Sequence, residues 1–262
     1  MSAISLHRPT AQQLKVSLTR FPAVYARARM PYATARYLLR HPHDFDYAVF
    51  GLFEQSDGLF LDIGANAGMS SMSFRIYQRR ARILAIEPNP YHEADLRWTR
   101  RLVGRMEYAL WAAGDKPGRA EFYIPVYRGV PITAEASLTR RFVEDSPSLH
   151  NQLGRRMHSP EFEIVQRTIE VRRLDDLGLR PAFVKLDVQG HEQPALVGMA
   201  RTLEQHGPPV LVEAPSAETT EFMASLGYAS YAYDHQHAEL GPVIGHVNNV
   251  LFARRRPGRS GF

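Results

Sequence analysis

The sequence predicts an α/β fold in which helices cover both faces of a mostly parallel sheet. From about residue 59, short apolar runs alternate with stretches of helical spacing, the pattern of a parallel sheet with covering helices. Four of these runs also end in an acid: Asp62, Glu87, Asp187 and Glu213. Open α/β sheets bind ligands at the carboxyl ends of their strands. The same residues therefore predict where a site lies.

The runs predict six or seven strands in order. The expected parallel strands are Leu59–Ile63, Arg82–Ile86, Met106–Ala113, "FVKLDV" and "PVLVEA". "YASYAYD" and "NVLFAR" are expected to close the sheet as an antiparallel pair. Helices are expected at Ser70–Gln78, from "EPNP" to about Val103, and at His191–Gln205. Before the fourth parallel strand, "RAEFYIPV" and "FEIVQRTIEV" predict an inserted hairpin around a long polar loop.

The domain organisation follows from these elements. We expect residues 1–50 to form a basic helical extension whose helical spacing over Thr10–Leu39 breaks at Pro22 and Pro31. "HPHDFDY" is expected to be a linking turn. Residues 51–255 would form the α/β domain, with the insertion at 118–175, and residues 256–262 a flexible tail. The inserted loop is expected to act as a lid or to select substrate, with Ser137, Arg140 and Arg141 as its polar candidates.

Composition excludes several classes of protein. The chain has no cysteine, so disulfides, thiolate metal sites and cysteine nucleophiles are excluded. No apolar run reaches the length of a membrane span and no secretory leader is visible, so we expect a cytoplasmic protein. The net charge of +5 resides at the ends: residues 44–253 hold 21 basic and 27 acidic side chains, a net of −6. An acidic body does not favour nucleic-acid binding. The basic N-terminal helices are expected to cover the site or to form a homodimer contact.

The stretch "DIGANAG" is the most informative motif. Its glycines allow a sharp backbone turn and the close approach of a ligand, but the spacing of Gly64 and Gly68 does not match the G-x-G-x-x-G of pyrophosphate binders. A cofactor without phosphates fits better, with Asp62 facing a cation. Glu87, 23 residues after Gly64, is placed to accept the two hydroxyls of a ribose. The motif therefore predicts a nucleoside-bearing cofactor.

Together, "FLDIGANAG", "AIEPNP", "IEVRRLDDL", "FVKLDVQGHEQPALVGM" and "PVLVEAP" resemble the FkbM family of S-adenosylmethionine-dependent methyltransferases. The resemblance covers residues 58 to 214 and implies a class I methyltransferase, Rossmann-like fold with a seven-stranded sheet. It implies that S-adenosyl-L-methionine is bound by Asp62, Gly64, Asn66, Gly68 and Glu87, with Trp111 and Ala112 near the adenine. One departure is clear: the family's D-V-E-G-x-E reads "DVQGHE" here, so Gln189 replaces a glutamate.

Methyl transfer to a hydroxyl needs help with the proton, because an alcohol has a pKa far above 7. His191, just after the fourth strand, is one candidate base, acting beside Asp187; His150, His158, His235 and His237 are rivals expected at the surface. A second means of removing the proton is Mg²⁺, which Asp187 and Glu213 are expected to hold at adjacent strand ends. Lys185, on the same strand face as Asp187, is expected to pair with the acids.

The sequence therefore predicts an O-methyltransferase that acts on a hydroxyl of a small metabolite, either a sugar or a glycosylated or polyketide natural product. An N-methyltransferase that modifies a peptide side chain is the alternative within the enzyme class. A nicotinamide-dependent oxidoreductase and a non-catalytic binding protein are alternatives from other classes, but the absence of a Tyr-x-x-x-Lys pair and the four strand-end acids disfavour them.

Overall fold

The computed structural model of the chain describes residues 22–245 and 247–255, with the side chains of residues 22–26 left out. The predicted tail at 256–262 and the first part of the N-terminal extension lie outside the described residues. Within them, no helix is long and apolar enough to cross a membrane.

Two sheets organise the fold. The strands in chain order are β1 Leu59–Ile63, β2 Arg82–Ile86, β3 Met106–Ala109, β4 Ala112–Ala113, β5 Gly118–Tyr127, β6 Val130–Pro131, β7 Phe162–Arg172, β8 Pro181–Leu186, β9 Val210–Glu213, β10 Ala229–Asp234, β11 Glu239–Gly241 and β12 Asn249–Ala253. The large sheet has the order β11-β10-β12-β9-β8-β1-β2-β3, and the small one, built from the insertion, has β4-β7-β5-β6. In the large sheet β12 runs antiparallel to both neighbours, β9 and β10.

Helices lie on both faces of the large sheet, as predicted, and two further helices belong to the insertion. They are α1 Pro22–Leu38, α2 Met69–Tyr77, α3 Glu93–Val103, α4 Arg140–Glu144, α5 Pro147–Leu153, α6 Glu192–Val197, α7 Ala200–His206 and α8 Ala217–Ser225. Apolar residues of α1, α2 and α3 pack on one face, and those of α6, α7 and α8 on the other.

Alternation along β1 divides its side chains between these two cores. Phe60 points to the first face, where it stacks on Phe74 of α2 with ring centroids 3.7 Å apart and meets Phe50 edge-on. Leu61 and Ile63 point to the second face. Asp62 shares the face of Phe60 and is fully buried. The two-residue period of the strand therefore carries a carboxylate into the interior at the carboxyl end of the sheet.

Several sequence expectations need correction. Within the described residues the large sheet has eight strands, because β11 adds an edge to the predicted seven. The third strand ends at Ala109, since Ala112–Ala113 pairs with β7 in the small sheet. Pro31 does not break α1, which runs on through it. "HPHDFDY" is more than a linking turn: Asp44 caps a 3₁₀ helix over Phe45–Leu52.

The helix predicted over His191–Gln205 is two helices, α6 and α7, with a break at Gly198 and Met199. A Cβ on Gly198 would lie 2.0 Å from the carbonyl oxygen of Gly114. The chain therefore passes close to the turn after β4 at Gly198, where the helix is interrupted. The buried carboxylate of Asp175 then caps the second helix by accepting the backbone N–H of Arg201 and Thr202.

The predicted polar loop of the insertion is partly helical. It contains α4 and α5, whose Val143 and Leu149 are fully buried against Tyr127 of β5. Arg29 of α1 forms an ion pair with Asp95 of α3 and also donates to Thr133 of the insertion at 3.0 Å. The insertion is therefore a packed layer beside the carboxyl end of the sheet.

Candidate active site

An open cleft of about 560 Å³ lies at the carboxyl ends of β1, β2 and β8. It brings together most of the residues that the sequence singled out: Gly64, Asn66, Glu87, Trp111, Ala112 and Asp187 all line it. The insertion supplies the opposite wall through Thr133, Ala136 and Leu138.

The turn after β1 has the backbone that the glycine motif predicts. Gly64, Asn66 and Gly68 have φ of 77°, 50° and 84°, in the region that L side chains rarely adopt. A Cβ on Gly64 would lie 1.6 Å from the carbonyl oxygen of Asp187, so no other residue fits there. The turn therefore lies directly against the end of β8 and leaves its backbone facing the cleft.

Glu87 lies at the end of β2 and is 7% exposed. Each carboxylate oxygen accepts one backbone N–H at 2.8 Å, from Asn66 in the glycine turn and from Asn89. Burial raises the pKa of Glu87, while these two bonds favour its charged form. A carboxylate has about four acceptor positions, so two remain for a ligand. This geometry fits the binding of vicinal hydroxyls.

Trp111 and Ala112 form the wall of the cleft between the two sheets. Both are buried, and the guanidinium of Arg172 lies 5.5 Å above the indole ring. Because the chain leaves the large sheet after Ala109, the indole turns into the core between α6 and the sheet. Trp111 and Ala112 thus present an apolar surface suited to a planar base.

Asp62 and Lys185 lie opposite each other on β1 and β8. One oxygen of Asp62 accepts bonds from Ser70 and Ser71 at 2.6 and 2.5 Å. The other has no hydrogen bond and lies 3.8 Å from the Lys185 ammonium. The lysine also donates to the carbonyl of Gly64 at 2.8 Å. The predicted pairing of Lys185 with the acids is confirmed.

Asp187 and Glu213 converge, and Gln189 joins them. The Lys185 ammonium is 3.2 Å from Asp187. The amide of Gln189 donates to Asp187 at 2.7 Å and to Glu213 at 3.3 Å. Burial alone would raise the pKa of Asp187, but Lys185 and its hydrogen bonds hold it below its usual value. Burial and the neighbouring Asp187 raise the pKa of Glu213 to about 8. At neutral pH the pair therefore carries one negative charge, on Asp187.

This donor set does not fit Mg²⁺. Among the described residues, no group of three or more His, Asp or Glu side chains could hold a metal. The Lys185 ammonium and the Gln189 amide already occupy the oxygens of Asp187, and the raised pKa of Glu213 keeps its carboxyl protonated near neutral pH. A hard divalent cation prefers ionised, unpaired oxygen ligands.

The predicted base His191 lies outside the described lining of this cleft. Its Nε2 faces Gly114 at the β4 turn, and burial lowers its pKa. The rival histidines make bonds elsewhere: His235 with Asp46 and His237 with Asp234, each at 2.7 Å, and His150 with the Ser146 carbonyl at 2.8 Å. His158 is exposed. Within the described chain, the cleft is lined by the carboxylates of Glu87 and Asp187 but by none of these imidazoles.

The three polar candidates of the insertion differ in position. Ser137 is buried and donates to the carbonyl oxygen of Gln189 at 2.8 Å, so it fixes the loop after β8. Arg140 and Arg141 are exposed and form (i, i+4) ion pairs with Glu144 and Asp145. The two arginines therefore form a solvated face.

The sequence reasoning missed the segment of residues 43–47, which lies beside the carboxyl end of β9. Asn249, directly opposite Glu213 in the β9–β12 pairing, donates to Asp44 at 2.8 Å and to Asp46 at 2.9 Å. The available signal was the density of polar, titratable residues in "HPHDFDY". That density is unusual for a plain linker and could have marked the segment.

The fold and the site define the class of protein. The order β3-β2-β1-β8-β9-β12-β10, with β12 antiparallel, is the class I methyltransferase fold, and the glycine turn and Glu87 lie at its ligand edge. A family model described as the methyltransferase FkbM domain matches residues 62–240, well over half of the chain. The chain belongs to the FkbM family and is a methyltransferase with the Rossmann-like fold of the S-adenosylmethionine-dependent enzymes.

Similar proteins were found by sequence and by structure. The 2-O-methyltransferase NoeI of Sinorhizobium fredii is 28% identical over 160 residues, 59% of this chain and 63% of that protein, so less than two thirds of the relative is matched. A crystal structure of methyltransferase FkbM from Methylobacillus flagellatus has 18% identity and a TM-score of 0.49, with coverage of 80% of this chain and 48% of that one. An O-methyltransferase from Thermotoga maritima has 13% identity and a TM-score of 0.40, with coverage of 84% and 68%.

Proposed function

We propose that the protein transfers the methyl group of S-adenosyl-L-methionine to a hydroxyl of a small metabolite, of which a saccharide is the favoured class. The observation that carries the proposal is the cleft itself. It combines a glycine turn, the carboxylate of Glu87 with two free acceptor positions, and the apolar wall of Trp111. These are the three features that an adenosine needs.

Different residues of the cleft would bind different parts of S-adenosyl-L-methionine. Glu87 would accept the ribose hydroxyls, and Trp111 and Ala112 would contact the adenine. The backbone of the turn at Gly64 and the charge of Asp62 would hold the amino-acid end. The methyl would then face the ends of β8 and β9, because the nucleoside lies over β2 and β3 on the other side of β1.

The donor supplies an activated methyl on a sulfonium, so the protein mainly has to align the acceptor and remove its proton. We assign that removal to the Asp187–Glu213 pair. Glu213, whose pKa is about 8, would act as the base in its ionised form, so the rate of transfer should rise as pH approaches 8. His191 stays a predicted alternative. The name of the relative NoeI, a 2-O-methyltransferase, supports an oxygen acceptor. Cytoplasmic location and a homodimer stay predictions.

Isothermal titration with S-adenosylhomocysteine tests donor binding. We compare the wild type, Glu87→Gln and the matched surface change Glu107→Gln, whose carboxylate is 70% exposed. Loss of charged hydrogen bonds to the ribose should weaken binding of Glu87→Gln by about 1.5–3 kcal/mol, roughly 10- to 150-fold, while Glu107→Gln binds like the wild type. No binding by the wild type would refute donor binding, and equal affinities of the two variants would remove Glu87 from the site.

Transfer of tritiated methyl to the methyl glycosides of glucose, galactose and mannose then tests the acceptor class. Label in a glycoside supports the saccharide reading. Binding of S-adenosylhomocysteine together with labelling of a glutamine- or asparagine-containing peptide, and of none of the glycosides, would replace it with N-methylation.

A further inference from the structure

The loop that follows β8 has a backbone that needs support from other elements. Gln189 and Gly190 both have positive φ, 52° and 90°, and this region is unfavourable for a residue with a Cβ. The Glu192 carboxylate of α6 accepts the backbone N–H of Val188 at 3.1 Å and that of Gly190 at 3.2 Å. These two bonds do not involve the carbonyl of Gln189, so the orientation of that group depends on another element.

Ser137 of the insertion binds this carbonyl. The backbone N–H and C=O of Ser137 bond Tyr123 of β5 at 3.0 and 2.8 Å, so the small sheet fixes its position. The hydroxyl accepts the N–H of Thr139 at 3.1 Å and donates to the Gln189 carbonyl at 2.8 Å. Ser137 is 1% exposed, so water does not compete for this bond. A hydroxyl has one proton, and that of Ser137 is directed at Gln189.

The insertion makes a second contact with the next residue of the loop. A Cβ on Gly190 would lie 2.7 Å from the ring of Phe142 in α4, so the ring packs directly on the Gly190 backbone. The insertion therefore contacts the loop at the peptide between Gln189 and Gly190 in two ways, by the hydrogen bond of Ser137 and by packing.

The backbone conformation of Gln189 determines where its side chain points. Its amide donates to Asp187 at 2.7 Å and to Glu213 at 3.3 Å, and these two acids are called the carboxyl pair below. A return of Gln189 to the ordinary region of negative φ would turn its side chain away from its present direction. Ser137 thus reaches the carboxyl pair through Gln189.

We infer that Ser137 is a positioning residue, which fixes the backbone of Gln189 in the conformation that directs its amide at the carboxyl pair. This inference rests on the proposed removal of the acceptor proton by that pair. It gives the insertion a part in the chemistry in addition to its place in the wall of the cleft. Ser137, a candidate for substrate contact in the sequence, would instead act on the base.

The pair itself provides a readout of this role. A donated N–H favours the ionised form of a carboxyl group, and it favours most the doubly ionised pair that exists when Glu213 acts as base. Without the Gln189 amide in place, the last proton should leave the pair at a higher pH. Ser137→Ala leaves in place the other charged groups around the pair, which are Lys185 of β8, Asp62 of β1, and Asp44 and Asp46 before β1.

NMR of protein labelled at the glutamate carboxyl carbons measures the titration, and Glu213→Gln assigns the signal of Glu213. Ser146→Ala is the matched control, because Ser146 is also a buried serine of the insertion, which accepts the N–H of Leu149 and donates to Glu135. Ser137→Ala should raise the midpoint of Glu213 by about 0.5–1 pH unit, the size of one lost hydrogen bond. Ser146→Ala should leave the midpoint unchanged, although both variants lower the melting temperature.

A double substitution separates positioning from a general loosening of the insertion. Since Ser137 acts through the Gln189 amide, Ser137→Ala should shift the midpoint no further when Gln189→Ala is already present. Ser137→Cys keeps the size of the side chain but is a weaker donor, so it should shift the midpoint in the same direction in a folded protein. Ser137→Thr keeps the hydroxyl and should restore the wild-type midpoint.

The transfer assay uses the methyl glycoside that the wild type methylates fastest among those of glucose, galactose and mannose. Ser137→Ala should lower kcat by about 3- to 10-fold at pH 7, because below the midpoint the ionised fraction falls tenfold per pH unit. The loss should shrink as pH rises past the midpoint, while the glycoside KM and the affinity for S-adenosylhomocysteine stay at the wild-type values.

An unchanged midpoint of Glu213 in both Ser137→Ala and Ser137→Cys would overturn the inference. Additive shifts of Ser137→Ala and Gln189→Ala would also overturn it, because Ser137 would then act by a route other than Gln189. Absence of wild-type transfer to every glycoside, with the NMR shift present, would instead refute the proposed function on which the catalytic role rests.

Discussion

Replacement of Lys185 by methionine tests the charge balance of the site. The ammonium is 6% exposed and lies 3.2 Å from Asp187 and 3.8 Å from Asp62, which is fully buried. Methionine preserves the length and apolar stem of the side chain but leaves both carboxylates without their cation. Removal of one partner of a buried ion pair costs about 3–5 kcal/mol. We expect a loss of that size in the free energy of unfolding at pH 7, from a total of order 5–15 kcal/mol.

The pH dependence identifies the cause. The pKa of Asp187 is depressed in the folded state, so its stabilisation is present above its unfolded value of 3.8 and is lost as pH falls through the folded pKa. Burial alone would lower the pKa of Lys185, but Asp187 and Asp62 raise it. The contribution of Lys185 to the free energy of unfolding is therefore full up to its unfolded pKa of 10.5 and is lost at still higher pH. The difference between wild type and variant should thus be full at pH 7 and shrink below about pH 4.

Urea unfolding followed by circular dichroism measures this difference, and Lys116→Met is the matched control. Lys116 is exposed, so its substitution should stay within about 0.5 kcal/mol of the wild type. A Lys185→Met variant that unfolds at the same urea concentration as Lys116→Met would refute the reasoning. So would a difference that does not depend on pH, because it would indicate lost packing of the lysine stem.

Two further predictions concern the neighbours of Lys185. Gly64→Ala should abolish S-adenosylhomocysteine binding and lower the melting temperature, because its Cβ would overlap the Asp187 carbonyl. Gly118→Ala is the control in titration and scanning calorimetry, because a Cβ at Gly118 meets open space. Equal affinities and melting temperatures of the two variants would contradict the close approach of Gly64 to Asp187. Between pH 5 and pH 8 the free energy of unfolding of the wild type should fall by about 2 kcal/mol more than that of Glu213→Gln, a figure that is discounted for the partial exposure of Glu213. The raised pKa of Glu213 makes its stabilisation complete below the unfolded value of 4.5 and lost as pH rises towards about 8. Parallel unfolding curves of the two proteins across that range would count against a protonated Glu213.

The sequence predicted the parts of the fold that depend on local signals. The strand β1 was found because an apolar run ends in a glycine turn, and positive φ values at Gly64 and Gly68 are a requirement that few other residues meet. The order of the acids along the chain placed them at one edge, because the ends of parallel strands coincide. The inserted hairpin was found from its alternating pattern, and its two strands pair along their whole length.

What the sequence did not reveal depends on contacts between distant segments. The transfer of Ala112 from the large sheet to the small one is set by its pairing with Val171, and the helix break at Gly198 by its approach to Gly114. The position of the segment before β1 depends on Asn249, about 200 residues later, which donates a hydrogen bond to Asp44 and so fixes it to the sheet. No local pattern contains such information, since each contact joins residues that are ordinary in their own surroundings.

Gln189 shows how one substitution fits the rest of the site. It lies with φ of 52° between Asp187 and Glu213 and donates to both. A glutamate there would supply no donor and would bring a third carboxyl group beside two that already share one charge, so the group would require a cation or a further proton. In this chain the Gln189 amide, the Lys185 ammonium and the proton on Glu213 balance the negative charge without an added ion. The departure from the family pattern is therefore consistent with a carboxyl pair in which the ionised form of Glu213 accepts the proton of the acceptor hydroxyl without a metal.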